Sequence, residues 1–369
     1  MLKPLKIGFV LDDTLDTPDG VQQYVLTLGT WLSSQGHEIH YLVGESTRSD
    51  ITNIHSMARN VKVRFNKNRL SIPLPTSKRL IEQKLQELQL DVLHVQMPYS
   101  PMFAGRVISA APPKTKIVGT FHIVMVSWLH SRGAHSLELM NRRSIKRFHT
   151  IVSVSPAAAL FAKTVFGIDS EIVPNAVSIK AMKHQPIVNK IPHIVFLGRL
   201  VERKGCMYLL HALRQLQTQY EGSYTVEIAG KGPLDQKLHT YAKKHSLQNI
   251  HFSGFINESD KPALLAGADI AVFPSTGGES FGIVLIEAMA AGARVVLGGN
   301  NVGYQSVLSD HPDLLIDARD TKSFANRLQY FLEHKDARLA AAAWAQNAVK
   351  QYDVSRVGQK IVTIYRQSI

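Results

Sequence analysis

The sequence has one cysteine, Cys206, in 369 residues, so an intramolecular disulfide is excluded and the composition fits a reducing compartment. It also lacks any apolar run near the roughly 20 residues that a membrane-spanning helix needs. No signal-peptide pattern is visible, because Met1–Pro4 leads straight into the short strand-like run Leu5–Leu11. We therefore expect a cytoplasmic protein that is soluble or lies on a surface.

Acidic residues are few: 29 Asp and Glu stand against 42 Lys and Arg, and the formal net charge is +13. This balance favours an anionic partner, although part of the excess serves solubility. Nucleic acid is one candidate, but no zinc-finger, RRM or KH motif accompanies the charge. An anionic membrane surface is the other candidate, and we predict no nucleic-acid partner.

The chain is long enough for two compact domains, and a single core would be unusual at this length. Short apolar runs alternate with helical segments, which predicts doubly wound parallel sheets whose ligands bind outside the carboxyl ends of the strands. The runs of the first half are Leu5–Leu11, Glu38–Val43, Val61–Phe65, Val92–Val95, Ile117–Phe121 and Ile151–Val154. Those of the second half are His193–Leu197, Tyr224–Ala229, Ile250–Ser253, Ile270–Phe273 and Arg294–Leu297.

The most informative stretch is Gly277–Gly292, in which Glu279 and Glu287 stand eight residues apart, one in a glycine-rich loop and one on the following helix. Free backbone N–H groups near Phe281–Val284 and the positive end of the helix dipole attract a phosphate. Because carboxylates accept hydrogen bonds from hydroxyls, a diphosphate flanked by sugars would fit. The alternative is a solvated helix start with ordinary capping acids.

This stretch resembles the E-x7-E signature of the retaining family-4 glycosyltransferases, and the phosphatidylinositol mannosyltransferase branch most closely. The likeness runs from the first strand to Gln351–Ser355. It implies the GT-B fold, with two Rossmann-like doubly wound parallel-sheet domains facing a central cleft. The implied domains are residues 1–175 for the acceptor, residues 176–352 for the nucleotide-sugar donor, and a C-terminal helix, residues 353–369, crossing back to the first domain.

A basic loop, Gly198–Gly205, follows the His193–Leu197 strand and places Arg199 and Lys204 at its carboxyl end. Fixed cations there would stabilise the charge of a departing diphosphate; alone, the loop could equally be a solvated basic turn. The resemblance implies that this pair binds the diphosphate. Arg203, beside Lys204, has either no role or an acceptor contact.

The resemblance implies further site residues, each at the end of a strand or the start of a helix. The implied catalytic residues are His122, Arg199, Lys204 and Glu279, and the implied donor-binding residues are Gly20, Gly230, Lys231, Gly232, Phe281, Gly282, Ile283, Val284 and Glu287. Glu279 would contact the donor sugar, Glu287 the ribose, and the Gly230–Gly232 loop the base. His122 would donate to a sugar hydroxyl or a developing charge; the alternative is a structural histidine.

Two positions depart from the family pattern. Asp19 stands where the family has the first glycine of Gly-Gly-Val, and Ala176 stands where it has the glycine of Pro-Asn-Gly. Asp19 can instead cap the helix that follows. The hinge turn at Ala176 is expected to lack a left-handed glycine.

No D-x-D motif occurs, and Asp12-Asp13 alone is a poor magnesium site. We therefore predict a reaction that needs neither a metal nor a resident cofactor. Retention without an obvious carboxylate nucleophile suggests front-face attack, with the leaving phosphate helping to deprotonate the acceptor, as the resemblance implies.

The acceptor is the least explicit part of the sequence. By the resemblance, Gln22 and Arg64 match positions that bind an inositol phosphate headgroup, which implies transfer of mannose from GDP-mannose to phosphatidylinositol at the inner face of the cell membrane. A basic helix near Arg142–Arg147 either touches lipid or is an ordinary amphipathic helix. The rival hypotheses are a UDP-sugar with a non-lipid acceptor, a nucleotide-sugar epimerase and a silent binding module; the oligomeric state is left open.

Overall fold

A computed structural model describes residues 3–17, 19–65, 68–74, 76–98, 100, 103–123, 141, 143–185 and 187–368. The chain divides into two units, each continuous in space. The first unit combines Met1–Ala176 with Val354–Ile369, and the second unit is Val177–Asp353. Of the predicted basic helix near Arg142–Arg147, residues 143–145 are helical and only Arg142 lies outside the described residues. Arg147 donates to the backbone carbonyls of Ile108 and Ala111.

The first unit is built on a seven-stranded parallel sheet in the order β3-β2-β1-β6-β7-β8-β9. Its strands are β1 (Lys6–Val10), β2 (Glu38–Val43), β3 (Ile54–Ser56), β6 (Val92–Val95), β7 (Lys116–Phe121), β8 (Thr150–Ser153) and β9 (Glu171–Ile172). Its helices are α1 (Gly20–Ser34), α2 (Lys78–Leu88), α3 (Phe103–Ala110), α4 (Pro156–Phe166) and α13 (Val354–Ser368). The central strands are buried along nearly their whole length, as in a sheet covered by helices on both faces.

A two-stranded antiparallel hairpin stands apart from this sheet. It consists of β4 (Asn60–Phe65) and β5 (Asn68–Pro73). The prediction that Val61–Phe65 belongs to the parallel sheet is therefore wrong. Its alternation of apolar and basic residues is typical of a strand with one solvated face, which favours antiparallel pairing.

The second unit has a six-stranded parallel sheet in the order β12-β11-β10-β13-β14-β15. The strands are β10 (His193–Leu197), β11 (Thr225–Ala229), β12 (Ile250–Gly254), β13 (Ile270–Phe273), β14 (Val295–Gly299) and β15 (Leu315–Ile316). The helices are α5 (Ile179–Met182), α6 (Cys206–Gln219), α7 (Asp235–Lys244), α8 (Lys261–Ala266), α9 (Ile283–Ala291), α10 (Val302–Leu308), α11 (Thr321–Glu333) and α12 (Lys335–Ala348). Strand order reverses between β10 and β13, the switch point where such sheets bind ligands.

The last helix, α13, completes the first unit. Tyr365 reaches into its core, where its hydroxyl lies 2.7 Å from Nδ1 of His94 on β6. Gly358 packs so closely on Trp31 of α1 that a Cβ atom would lie 2.3 Å from the indole ring. The second unit is thus inserted between two segments of the first.

Candidate active site

Two loops leave the second unit's sheet at the switch point and are joined through their backbones. The loop after β10 ends in a 3₁₀ turn, Glu202–Lys204, and the loop after β13 begins at Pro274. The carbonyl of Arg203 accepts hydrogen bonds from the Thr276 N–H at 2.8 Å and the Ser275 hydroxyl at 3.0 Å. Gly205 has φ +77°, and a Cβ atom there would lie 1.9 Å from the carbonyl oxygen of Pro274. The two loops are therefore locked together before any ligand arrives.

Glu279 lies in the second of these loops and is held by one oxygen. Oε1 accepts from the Ser275 hydroxyl at 2.8 Å and lies 2.6 Å from Arg203 Nη1 and 2.9 Å from Lys204 Nζ. Burial alone would raise the pKa of Glu279, but the attraction of Lys204 and Arg203 outweighs it, and the pKa lies below its usual value. The carboxylate is therefore ionised. Its Oε2 has no partner among the described residues and remains available for a ligand.

Arg203 is thus part of this cluster, which the sequence did not predict. Arg203 makes a direct ion pair with Glu279, and its contact with the acceptor stays a prediction. Arg199 is half-buried and makes no side-chain hydrogen bond or ion pair with any described residue. The structure therefore brings Lys204 to Glu279 and leaves Arg199 available at the end of β10. The adjacent cations of the 3₁₀ turn were the only signal in the sequence for a contact between Arg203 and Glu279.

Glu287 lies on α9 and is buried with a lysine that sequence reasoning missed. Lys261 Nζ lies 2.9 Å from Glu287 Oε1 and 2.7 Å from Glu258 Oε2. Burial raises the pKa of Glu287, and the attraction of Lys261 only partly offsets it. Burial opposes the charge of Lys261 as well, but the two glutamates outweigh it and raise its pKa. The spacing between Glu258 and Lys261, three residues, was the only local hint of this triad.

The start of α9 has the geometry of an anion site. The helix begins at Ile283 with Gly282 as its N-cap residue at φ +120°. A Cβ atom on Gly282 would lie 2.8 Å from the ring of Tyr304, so the close approach requires glycine. Within the described chain, the backbone N–H groups of Phe281, Gly282, Ile283 and Val284 donate no hydrogen bond. These free donors lie beside the Glu279 loop and are available to a phosphate.

The Gly230–Gly232 loop packs against the loop after β10. Gly230 has φ +142°, and Cβ atoms on Gly230 and Gly232 would lie 1.9 Å and 2.4 Å from the carbonyl oxygens of Gly198 and Leu200. Beside it is a cavity of about 290 Å³ whose lining residues are Lys231, Gly232, Asp235, His239, Phe252 and Gly254. The rings of His239 and Phe252 stack at 3.9 Å. The loop therefore has a flat aromatic neighbour and open space next to it.

In the first unit, Gly20 and Gln22 are the predicted site residues on α1. Gly20 is the first residue of α1, and Asp19 is its N-cap residue without a side-chain capping hydrogen bond. Gln22 is buried, and its amide donates to the carbonyl of Thr14 at 3.2 Å. Gln22 therefore supports the loop after β1, which leaves its Oε1 atom for another partner. The side chain of Arg64, on β4, lies outside the described residues.

His122 follows β7 and is fixed on two sides. Its Nε2 lies 2.9 Å from Gln96 Oε1, and the ring of Tyr24 on α1 packs on it edge to face at 5.2 Å. Burial lowers the pKa of His122 to about 3. The imidazole is therefore neutral near neutral pH. Because Nε2 is already engaged, only Nδ1 remains for a ligand.

Two family models match the chain. The one described as Glycosyltransferase Family 4 matches residues 18–181, and the one described as Glycosyl transferases group 1 matches residues 178–351. Together they span every predicted site residue from Gly20 to Glu287. The chain belongs to glycosyltransferase family 4.

This family-4 glycosyltransferase is similar along most of its length to characterised proteins. The phosphatidyl-myo-inositol mannosyltransferase of Mycolicibacterium smegmatis is 29% identical over 98% of this chain and 93% of its own. A GDP-mannose-dependent alpha-(1-6)-phosphatidylinositol monomannoside mannosyltransferase of Mycobacterium tuberculosis is 22% identical over 92% of both chains. A crystal structure of a glycosyltransferase from Rickettsia africae matches with a TM-score of 0.77 at 17% identity, covering 100% of this chain and 99% of that one.

These likenesses confirm the predicted GT-B fold class with its two parallel-sheet α/β domains. None of the described helices of this glycosyltransferase is both long enough and apolar enough to cross a bilayer.

Proposed function

We propose that this glycosyltransferase transfers mannose from GDP-mannose to phosphatidylinositol or a similar anionic lipid, with retention of configuration. The observation that carries the proposal is Glu279, an ionised carboxylate with one free oxygen beside two cations and the free N–H groups of α9. That combination suits a sugar hydroxyl next to a diphosphate. The names of the similar proteins support mannose, GDP-mannose and the lipid.

Each part of the second unit then has a role in holding the donor. Oε2 of Glu279 accepts a hydrogen bond from a hydroxyl of the sugar, and the α9 N–H groups bind the diphosphate. Arg199, which has no partner in the described chain, and Lys204 neutralise the charge that develops as the diphosphate leaves. Glu287 binds the ribose hydroxyls, and the Gly230–Gly232 loop borders the base.

The reaction breaks the bond between the anomeric carbon and the diphosphate oxygen and forms one to an acceptor hydroxyl oxygen on the same face. The acceptor proton passes to the leaving phosphate, so no protein base is required. In this proposal neither a metal ion nor a resident cofactor takes part. Arg203 keeps Glu279 in place when Lys204 turns to the phosphate, because it holds the same oxygen at 2.6 Å.

The acceptor is assigned to the first unit, with Gln22 and Arg64 binding the headgroup and Gly20 and His122 contacting the substrates. The net charge of +13 supports an anionic membrane surface. Near the start of α2, Leu74 and Leu80 are exposed by 47% and 57% beside basic residues of the helix. Apolar and basic side chains together favour the lipid interface, so we place the enzyme on the inner face of the cell membrane.

The donor half of the proposal is tested by incubating the full chain with phosphatidylinositol vesicles and labelled GDP-mannose, UDP-glucose or ADP-glucose. We expect labelled lipid with GDP-mannose. Glu279→Gln should lower transfer by about a hundredfold or more, while GDP binding stays within a few-fold. Glu221→Gln, the same change at an exposed position of the second unit, is the matched control. Unchanged turnover in Glu279→Gln would remove this residue from the mechanism, and turnover of a nucleotide-sugar without acceptor would indicate an epimerase.

The membrane half is tested by vesicle flotation at low salt. We expect binding to vesicles that contain phosphatidylinositol and little binding to neutral phosphatidylcholine vesicles. Leu80→Asp should weaken binding, whereas Leu339→Asp, at a second-unit leucine that is 51% exposed, should not. Equal binding to both vesicle types would contradict the membrane assignment.

A further inference from the structure

Gln96 is fully buried and directly follows β6. Its backbone N–H donates to the carbonyl of Val10 at 3.0 Å, which fixes the main chain at this point. Its side-chain Nε2 faces the carbonyl of His94 at 3.4 Å, and its Oε1 faces His122 Nε2 at 2.9 Å. A backbone carbonyl can only accept a hydrogen bond, so the NH₂ group must face it. A flipped amide would set two acceptor oxygens against each other.

The orientation of this amide determines the state of His122. Oε1 of Gln96 only accepts, so His122 Nε2 must carry the hydrogen. A neutral imidazole has one N–H, and therefore Nδ1 holds a lone pair. Nδ1 makes no hydrogen bond within the described part of the chain. The edge-to-face contact with Tyr24 fixes the plane of the ring.

We infer that Gln96 is a positioning residue, which holds His122 as the Nε2–H tautomer and makes its Nδ1 an acceptor for a substrate hydroxyl. The inference rests on the proposed function in taking His122 to contact a substrate. It reverses the expectation from the sequence, in which His122 donates. It also selects the chemistry of the ligand, because a phosphate oxygen would place lone pair against lone pair, whereas a sugar or polyol hydroxyl donates.

The surroundings of His122 reinforce the neutral state. Among the described residues, Tyr24 packs on His122, His94 interacts with it electrostatically, and Tyr365 contacts His94. Burial lowers the pKa of His94 to about 3, with a further contribution from His122, and burial raises the pKa of both tyrosines. His94 is itself hydrogen-bonded to the hydroxyls of Tyr365 and Thr120. Burial lowers the pKa of His122, and no charged group in the described part of the chain adds to this shift.

The first test reads the tautomer directly and needs no activity. Long-range ¹H–¹⁵N correlation spectra of the full chain report which imidazole nitrogen carries the proton, and His122→Gln assigns the signal. We expect the Nε2–H form for His122 near neutral pH. An Nδ1–H form, or an imidazolium, would overturn the inference. If no donor supports transfer, the proposed function fails while this measurement still decides the tautomer.

The second test is Gln96→Glu, which replaces the neutral acceptor by a carboxylate of the same shape. The carboxylate stabilises the imidazolium and raises the pKa of His122, and protonation removes the Nδ1 acceptor. We expect transfer by this variant to fall about tenfold per pH unit below the new pKa, with GDP binding unchanged. The wild-type enzyme should lack this acidic limb.

Gln359→Glu on α13, an exposed position of the same unit, is the matched control and should follow the wild-type profile. The acceptor role of His122 Nδ1 would be overturned if Gln96→Glu kept the wild-type dependence of transfer on pH while its spectrum showed an imidazolium at His122. If circular dichroism shows that Gln96→Glu does not fold, the tautomer of His122 measured in the wild-type protein decides whether the inference holds.

Discussion

Replacing Lys261 by methionine is expected to destabilise the second unit strongly. Methionine keeps most of the volume of the side chain but removes the charge that faces Glu287 at 2.9 Å. Both side chains are only 11% exposed, so water cannot take the place of the ammonium group. The carboxyl group of Glu287 must then either stay charged without a partner or take up a proton.

The size of the effect follows from this geometry. At 2.9 Å and an effective dielectric constant of about 20, two unit charges attract each other by about 6 kcal/mol. Desolvation already offsets part of this attraction, and breaking a buried pair on one side typically costs about 3–5 kcal/mol. Glu258 adds little, because it is 44% exposed and screened by solvent.

The loss should depend on pH in a defined direction. Without Lys261, the pKa of Glu287 in the folded protein rises further above its unfolded value of 4.5. A raised folded pKa stabilises the folded state at low pH, and that stability is lost as the pH rises through the folded pKa. The difference from wild type should therefore be largest at about pH 8 and shrink towards about pH 5.

Differential scanning calorimetry of the full chain provides the measurement. A loss of about 3–5 kcal/mol corresponds to a fall in Tm of roughly 6–20 °C for a unit of this size. The double variant Lys261→Met with Glu287→Gln should recover most of the loss, since no bare charge remains. Lys335→Met, at an exposed lysine, is the control. A Tm close to wild type at about pH 8, or a double variant less stable than Lys261→Met alone, would refute the reasoning.

Two further changes test other parts of the molecule. Burial raises the pKa of Asp12 from 3.8 to about 6, so Asp12→Asn should increase the free energy of unfolding at about pH 8 by up to roughly 3 kcal/mol. This gain in the free energy of unfolding should vanish below about pH 4, which urea titrations at the two pH values would measure. A lower free energy of unfolding than wild type at the higher pH would contradict the prediction. Gly205→Ala should lower the free energy of unfolding by roughly 1–3 kcal/mol or more. It should also reduce transfer, because the new Cβ atom meets the Pro274 carbonyl. Gly292→Ala, at φ +100° with open space, isolates the backbone strain; equal thermal shifts for both would contradict the steric argument.

The parallel sheets were predictable because strands buried on both faces are continuous apolar runs. The structure has strands at His193–Leu197, Ile270–Phe273 and Val92–Val95, with the predicted bounds. The hairpin strand Val61–Phe65 was assigned to the wrong sheet, since a short run does not show its partner. The two-residue strands at the sheet edges, such as Leu315–Ile316, carry no periodic pattern.

The candidate site was predictable only as far as local pattern reaches. Glycines and cations at strand ends are visible in sequence, and so is the pair of glutamates. The contacts that set their chemistry are not: Arg203 meets Glu279 across 76 residues, and Gln96 meets His122 across 26. Which cation turns towards a carboxylate, and which nitrogen of a histidine is engaged, depends on the packing of distant segments.

The insertion of the second unit has a consequence for biosynthesis. Helix α13 supplies Tyr365 and Gly358 to the core of the first unit, yet the ribosome makes it only after all of Val177–Asp353. The second unit is contiguous and can mature as soon as it emerges, whereas the first unit waits with the surfaces of Trp31 and His94 uncovered. Maturation thus reverses the usual N-terminal-first order of domains made on the ribosome, and until α13 emerges the uncovered surface of the first unit is prone to aggregation.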